Sequence, residues 1–188
     1  MASRTCEICR VTYVEELADD RAYHRKHHAR AMKALQPRPL SRFLKRLKDA
    51  TDPVHVNALS ARWLQDELYV RARMFKRELG YDFPQWSPYG DEQPDAHGFL
   101  LCDDTGTFGH GAIAGGCVFR WREWSNRPHG WTMDWVWLAP EVRRRGLLAR
   151  RWGTFEKRFG RFYLRPPKQF AEKVGWLSTC ESGGEGRA

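Results

Sequence analysis

No apolar run in the 188 residues approaches the roughly 20 that a membrane-spanning helix needs, which excludes a helical span and leaves no membrane partner to expect. The opening decapeptide, MASRTCEICR, lacks the apolar core of a secretory signal. Cysteine is scarce, with five residues, an odd number, in no disulfide-like framework. A reducing cytoplasm is therefore the expected compartment, with association to a nucleoid or chromatin left open. No internal repeat is found, and nothing in the sequence fixes the oligomeric state.

Acid is missing where base is densest. From Arg21 to Lys48 there are ten Lys and Arg and neither Asp nor Glu. The remaining residues hold 22 basic and 23 acidic side chains, so the whole net charge of +9 sits in this one segment. Charge localised in this way implies an acidic partner: nucleic acid, an acidic protein face or an anionic surface. The alternative is a merely solvated helix face. The hydrophobic content of 41%, with nine Trp and ten Phe, is enough for one core of ordinary size plus an appendage.

Residues 6–28 have metal-ligand spacing. Cys6-x2-Cys9 is followed after fourteen residues by His24-x3-His28. Histidines four apart share a helix face, and a Cys-x-x-Cys knuckle supplies two thiolates to complete a tetrahedron. Zn²⁺ is the expected ion, in a closed and hence structural site. His27 is a rival ligand to His28. A unit this short needs the metal for its folding energy. Tyr13 stands where a small finger carries its core aromatic. Asp19 and Asp20 lie where a base-reading helix would begin and would repel phosphate, so scaffolding or protein contact is expected before base readout.

Met133–Leu138 reads as a buried strand that ends at Ala139-Pro140. Arg143-Arg144-Arg145-Gly146-Leu147-Leu148 and a helical run follow. Strand, turn, glycine and helix aim free backbone N–H groups at a phosphate, and arginines add charge there. These residues resemble the acyl-CoA loop of the GNAT N-acetyltransferase superfamily, Arg/Gln-x-x-Gly-x-Gly/Ala. Arg143 and Gly146 match, and Leu148 stands where Gly or Ala is usual. The V-x-L-x-P-x-x-R lead-in, Val136 to Arg143, supports the match. The resemblance implies that Val136, Trp137, Leu138, Arg143, Arg144, Arg145, Gly146, Leu147, Leu148 and Ala149 bind acetyl-CoA. Residues 6–28, CEICRVTYVEELADDRAYHRKHH, are similar to the zinc finger of the Eco/ESCO cohesin acetyltransferases, which also precedes a GNAT domain.

The fold class implied is α+β: a GNAT-like mixed, mostly antiparallel sheet flanked by helices, behind a small N-terminal Cys2His2 zinc finger. The expected divisions are 1–36 for the finger and its basic helix, 37–52 for a basic linker helix, 53–177 for the acetyltransferase domain and 178–188 for a disordered tail. Asp52-Pro53 is read as a helix start, with a long amphipathic helix carrying Leu64, Leu68, Phe75 and Leu79 on one side and stopped by Gly80. The aromatic-rich stretch from Tyr81 to His97 is read as an ordered loop over the acceptor pocket or on the sheet edge. Strands are expected at Gly98–Asp103, Ala112–Trp124, Trp131–Leu138 and Arg161–Leu164. Gly115-Gly116 is read as a bulge or a close approach. A last helix is expected at Lys168–Val174.

Acetyl transfer to an amine needs a neutral amine, hence a base. Asp134, in the apolar strand WTMDWVWLAP, is the expected base, and the alternative is that it pairs with an arginine. Glu123 is a second carboxylate. The family often carries a general-acid Tyr in its last helix. Ala171 and its neighbours offer none, and Tyr163 is the nearest. Cys102, Cys117 and Cys180 receive no catalytic role. The expected function is acetyl-CoA-dependent N-acetylation of a macromolecular amine, with protein lysine as the leading acceptor, by direct attack on the thioester. The alternatives are a GNAT-fold enzyme that modifies nucleobases, or a degenerate zinc-finger module that binds nucleic acid or protein.

Overall fold

The computed structural model describes residues 2–49, 52–81, 84, 86–87, 95–125 and 128–164. The expected last helix, the tail and parts of the 81–97 loop lie outside the described residues. The chain opens with a hairpin of β1 (Ser3–Thr5) and β2 (Thr12–Val14), in which Ser3 pairs Val14 and Thr5 pairs Thr12. Two helices follow, α1 (Ala18–Leu35) and α2 (Ser41–Asp49). Then come β3 (Val54–Val56), α3 (Arg62–Leu79), β4 (His97–Cys102), β5 (Ile113–Arg122), β6 (Gly130–Leu138), α4 (Ala149–Phe159) and β7 (Tyr163–Leu164).

Strands β3 to β7 form one sheet in chain order. The first three pairings are antiparallel and β6–β7 is parallel. The mixed, mostly antiparallel sheet flanked by helices agrees with the fold class expected from sequence. One reading needs correction. Asp52-Pro53 opens a strand, not a helix, and α3 starts only at Arg62. Val54 and Val56 alternate with His55, bury to 1% and 0% exposure, and pair with Leu100 and Gly98. Period-two burial of β-branched residues outweighs the helix-start signal of Asp-Pro.

Helix α3 exists because Leu64, Leu68 and Phe75 recur on one face, and it stops because Gly80 takes a left-handed conformation at φ 68°. Its core face lies on glycines. A Cβ on Gly98 would stand 2.1 Å from Leu68 Cδ2, and one on Gly116 would stand 3.1 Å from the Phe99 carbonyl oxygen. The close approach expected at Gly115-Gly116 is thus present, and a register irregularity between Leu101 and Cys102 adjoins it. On the other face, Phe155 and Phe159 of α4 pack against Phe99 and Phe119, with centroids 4.4–5.9 Å apart. Each such side chain contributes roughly 1.5–3 kcal/mol on full burial.

Glu67 joins three helices. Its buried carboxylate meets Arg71 of α3 at 2.5 Å, Lys33 of α1 and Arg42 of α2. A lone carboxylate there would be costly; burial pushes its pKa up, and Arg71 and Lys33 outweigh that and hold it below the ordinary value. Two of the ten cations in 21–48 therefore answer an internal charge. The segment's excess is less free than composition alone suggests.

Candidate functional site

The hairpin between β1 and β2 is tight enough to make a knuckle. The Cys6 carbonyl accepts from the Arg10 amide at 2.7 Å, the Val11 carbonyl from the Cys6 amide at 3.0 Å, and Arg10 takes the left-handed region at φ 52°. This turn projects Cys6 and Cys9, and α1 returns His24 and His28 on one face. Ligand atoms of all four lie within 4.8 Å of one another, with Cys6 Sγ 3.4 Å from His28 Nδ1. Tyr13 stacks on His24 with centroids 4.0 Å apart. His24 Nε2 is buried without a partner among the described residues.

His27 is elsewhere. Its Nδ1 lies 2.8 Å from Arg73 and its ring packs on Tyr23, so the structure brings together His28 and not its rival. The Cys6 thiol is pulled down to about 6, first by the Cys9 backbone amide and then by the two histidines, against burial. Burial pushes Cys9 up. Two sulfurs, two imidazoles and one orphaned ring nitrogen fit the tetrahedral preference of Zn²⁺. Arg77 of α3 donates to the Ile8 carbonyl and so fastens the knuckle to the core.

The second locus is the turn between β6 and α4. After a short 3-10 turn at Pro140–Val142, Arg144 and Gly146 both take positive φ, 59° and 75°. A glycine suits this conformation at Gly146, where a Cβ would also crowd the Arg150 guanidinium at 2.8 Å. The Gly146 carbonyl accepts from Arg150 N at 3.0 Å, within the hydrogen-bonded turn that leads into α4. This turn stands at the positive, N-terminal end of α4. Arg144 and Arg145 are exposed there, and Arg145 reaches Thr107 Oγ1 at 3.0 Å.

The other cations of the turn are engaged. Arg143 forms a two-pronged pair with Glu78, 2.6 Å on each side, and donates to the Leu138 carbonyl at 3.0 Å. Trp137 Nε1 donates to the same Glu78 carboxylate at 3.0 Å. Arg150 grips Asp104 at 2.6 and 2.8 Å. Arg151, buried beneath, joins Asp104, Asp52 and the Cys102 carbonyl and locks the first turn of α4 to the sheet. Val136 and Leu138 are half-buried, and Leu147 is buried against the core.

The acid–base residues do not converge. Asp134 is buried with zero side-chain exposure. Its oxygens take Arg120 at 2.7 Å and Arg122 at 3.2 Å and closer. The register shift between Val118 and Phe119 leaves Asp134 as the unmatched residue of a bulge in β6. Asp134 is thus found paired with arginine, the alternative named from sequence. Glu123 is exposed past the end of β5. Tyr163 lies half-buried on β7 opposite Thr132, edge-on to Trp124 at 5.0 Å. Sequence reasoning missed Glu78 and Asp104. Their pairing to arginines 65 and 46 residues away leaves no local signal.

The sequence matches no family model and no curated protein. Among solved structures it is similar to a ribosomal-protein-alanine N-acetyltransferase from Brucella melitensis biovar Abortus 2308, at 15% identity and TM-score 0.42, over 63% of this chain and 81% of that one. It is also similar to an acetyltransferase from Vibrio fischeri, at 14% identity and TM-score 0.38, over 60% and 94%. A third is an aminoglycoside acetyltransferase from an uncultured soil metagenomic sample, at 12% identity and TM-score 0.39, over 76% and 94%. These are distant likenesses.

Proposed function

We propose that the chain is an acyl-CoA-dependent N-acyltransferase of the GNAT type, carrying a structural zinc finger and acting on an amine of a macromolecule, with protein lysine as the leading acceptor. One observation carries the reading. A turn with Arg144 and Gly146 at positive φ leads from β6 into the start of α4, flanked by the exposed Arg144 and Arg145. The backbone amides at such a helix start suit a pyrophosphate. Bound acetyl-CoA would supply a thioester open to attack by an amine. Arg144 and Arg145 would neutralise phosphate charge, and Gly146 would leave room for it. The Arg151 network would keep the turn in place. Asp134 takes a structural role in this reading, as the anchor of Arg120 and Arg122. Tyr163, on the strand paired in parallel with β6, would handle the proton, with the exposed Glu123 as the second choice. Zinc would be held by Cys6, Cys9, His24 and His28 and would fix the finger against α3.

A second reading, a binding module with an idle core, has one observation in its favour: Arg143 is spent on Glu78. The two readings separate in a thiol-release assay with acetyl-CoA and a lysine-rich polypeptide. The enzyme reading expects thiol release that depends on both components, with the rate lowered by about a hundredfold in Tyr163→Phe, the lower end of what general acid–base catalysis supplies. Release no faster than without protein favours the binding module.

A further inference from the structure

At the β3 edge of the sheet, on the side of α4, lies a cavity of about 720 Å³ that is lined by no residue of the 143–149 turn. Its walls come from α2, β3, the β3–α3 turn, the start of α3 and the second half of α4. Three cations line it: Arg46 from α2, and Lys157 and Arg158 from α4. Among the described residues no carboxylate lines it. Arg46 and Lys157 make no salt bridge among the described residues, and Arg158 faces the His55 ring at 3.3 Å and the Phe99 ring at 5.5 Å instead of an acid. Three like charges turned toward one cavity repel each other unless an anion joins them.

The rest of the lining is planar and apolar as well as polar. Trp63, His55 and Phe99 supply rings, and Asn57 and Ser60 supply hydrogen-bonding groups. His55 is held neutral, down to about 4, by burial first and then by Arg158 and His97, so its ring is a packing and hydrogen-bonding surface and not a fourth charge. A cavity of this size is within the range that holds a small organic ligand. Cations beside rings are the means by which proteins hold a phosphate and stack its base without reading sequence. The cavity also continues the exposed cations of α2, where Lys45 and Arg46 share one helix.

We propose that this cavity is a nucleotide subsite, with the phosphate held by Arg46, Lys157 and Arg158 and the base set against the rings of Trp63 and His55. The ligand chemistry is a phosphate joined to a planar base, and it can come from a free nucleotide or from one unit of a single-stranded nucleic acid. The site does not depend on the acyl-transfer reading, because its walls share no residue with the 143–149 turn.

The test uses the full chain with three probes: AMP, a fluorescein-labelled oligo(dT) and inorganic phosphate. Binding is read by calorimetry for the small ions and by anisotropy for the strand. AMP or oligo(dT) binding that weakens about tenfold in Lys157→Gln and again in Arg158→Gln supports the subsite, since charge-assisted hydrogen bonds hold roughly that factor each. AMP binding points to a free nucleotide. Oligo(dT) binding without AMP binding points to a strand, with a salt slope near −0.7 per phosphate contacted. Lys157 and Arg158 are exposed, so both variants should keep the wild-type melting temperature, and Trp63→Leu gives an independent check on the ring. Binding of neither AMP nor oligo(dT), binding unchanged in the charge variants, or inorganic phosphate as strong as AMP would each overturn the proposal. Gly146→Glu serves as the separating control. Loss of CoA binding there with AMP or oligo(dT) binding kept is the expected result. Loss of all three would place the nucleotide at the 143–149 turn and overturn the subsite.

Discussion

At the scale of the residue, Asp134 carries the clearest lesson. A carboxylate in the run WTMDWVWLAP must have either a task or a partner, and the structure supplies the partner: Arg120 at 2.7 Å in a buried pair. Asp134→Ala would leave Arg120 and half-buried Arg122 without their shared carboxylate. A loss of about 3–5 kcal/mol is expected, the usual cost of breaking one side of a buried pair. Urea unfolding measures it, and a loss below about 1 kcal/mol would show that the pair is not structural. The milder Asp134→Asn should leave turnover per folded molecule unchanged, which a true base could not. That Asp134 is special was legible in the sequence. Its partners were not, because they stand 14 and 12 residues away across a register that a bulge shifts by one. Arg143 is a similar case. The motif marks it for a phosphate, and only the tertiary structure reveals the Glu78 carboxylate that holds it.

At the scale of the element, the Cys/His cluster was legible from spacing alone, because metal ligands on a knuckle and on one helix face have fixed offsets. The hairpin, α1, the stacking of Tyr13 on His24 and the clustering of all four side chains agree with that spacing. What spacing left open was the choice between His27 and His28, since both face a four-residue turn. Arg73 of α3 claims His27 and so settles which ring joins the cluster. Metal analysis should find about one zinc per chain, and a Cys6→Ser, Cys9→Ser variant should lose it and melt at a lower temperature. Zinc at wild-type stoichiometry in that variant would rule the site out. The reading of Asp52-Pro53 as a helix start failed for a different reason. Asp-Pro is a local signal, whereas Val54 and Val56 answer to β4, whose residues lie more than forty positions away.

At the scale of the whole molecule, helices cover both faces of a five-stranded sheet. Glu67 and Arg151 act as charged rivets between elements distant in sequence. The strand and helix order was largely legible, because apolar alternation and glycine stops are local. The cavity at the β3 edge was not, since its walls come from residues 46 to 158. The central claim is that the turn from Arg143 to Ala149 holds the phosphates of an acyl-CoA. A ligand that binds only the folded state stabilises it by about 2.7 kcal/mol at a hundredfold excess over Kd. The most direct test is therefore the melting temperature with and without acetyl-CoA, in the wild-type chain and in Gly146→Glu, where bulk and negative charge are placed at the start of α4. The account predicts a clear rise of several degrees in the wild type and none in the variant. No rise in the wild type, or an equal rise in both, would contradict it.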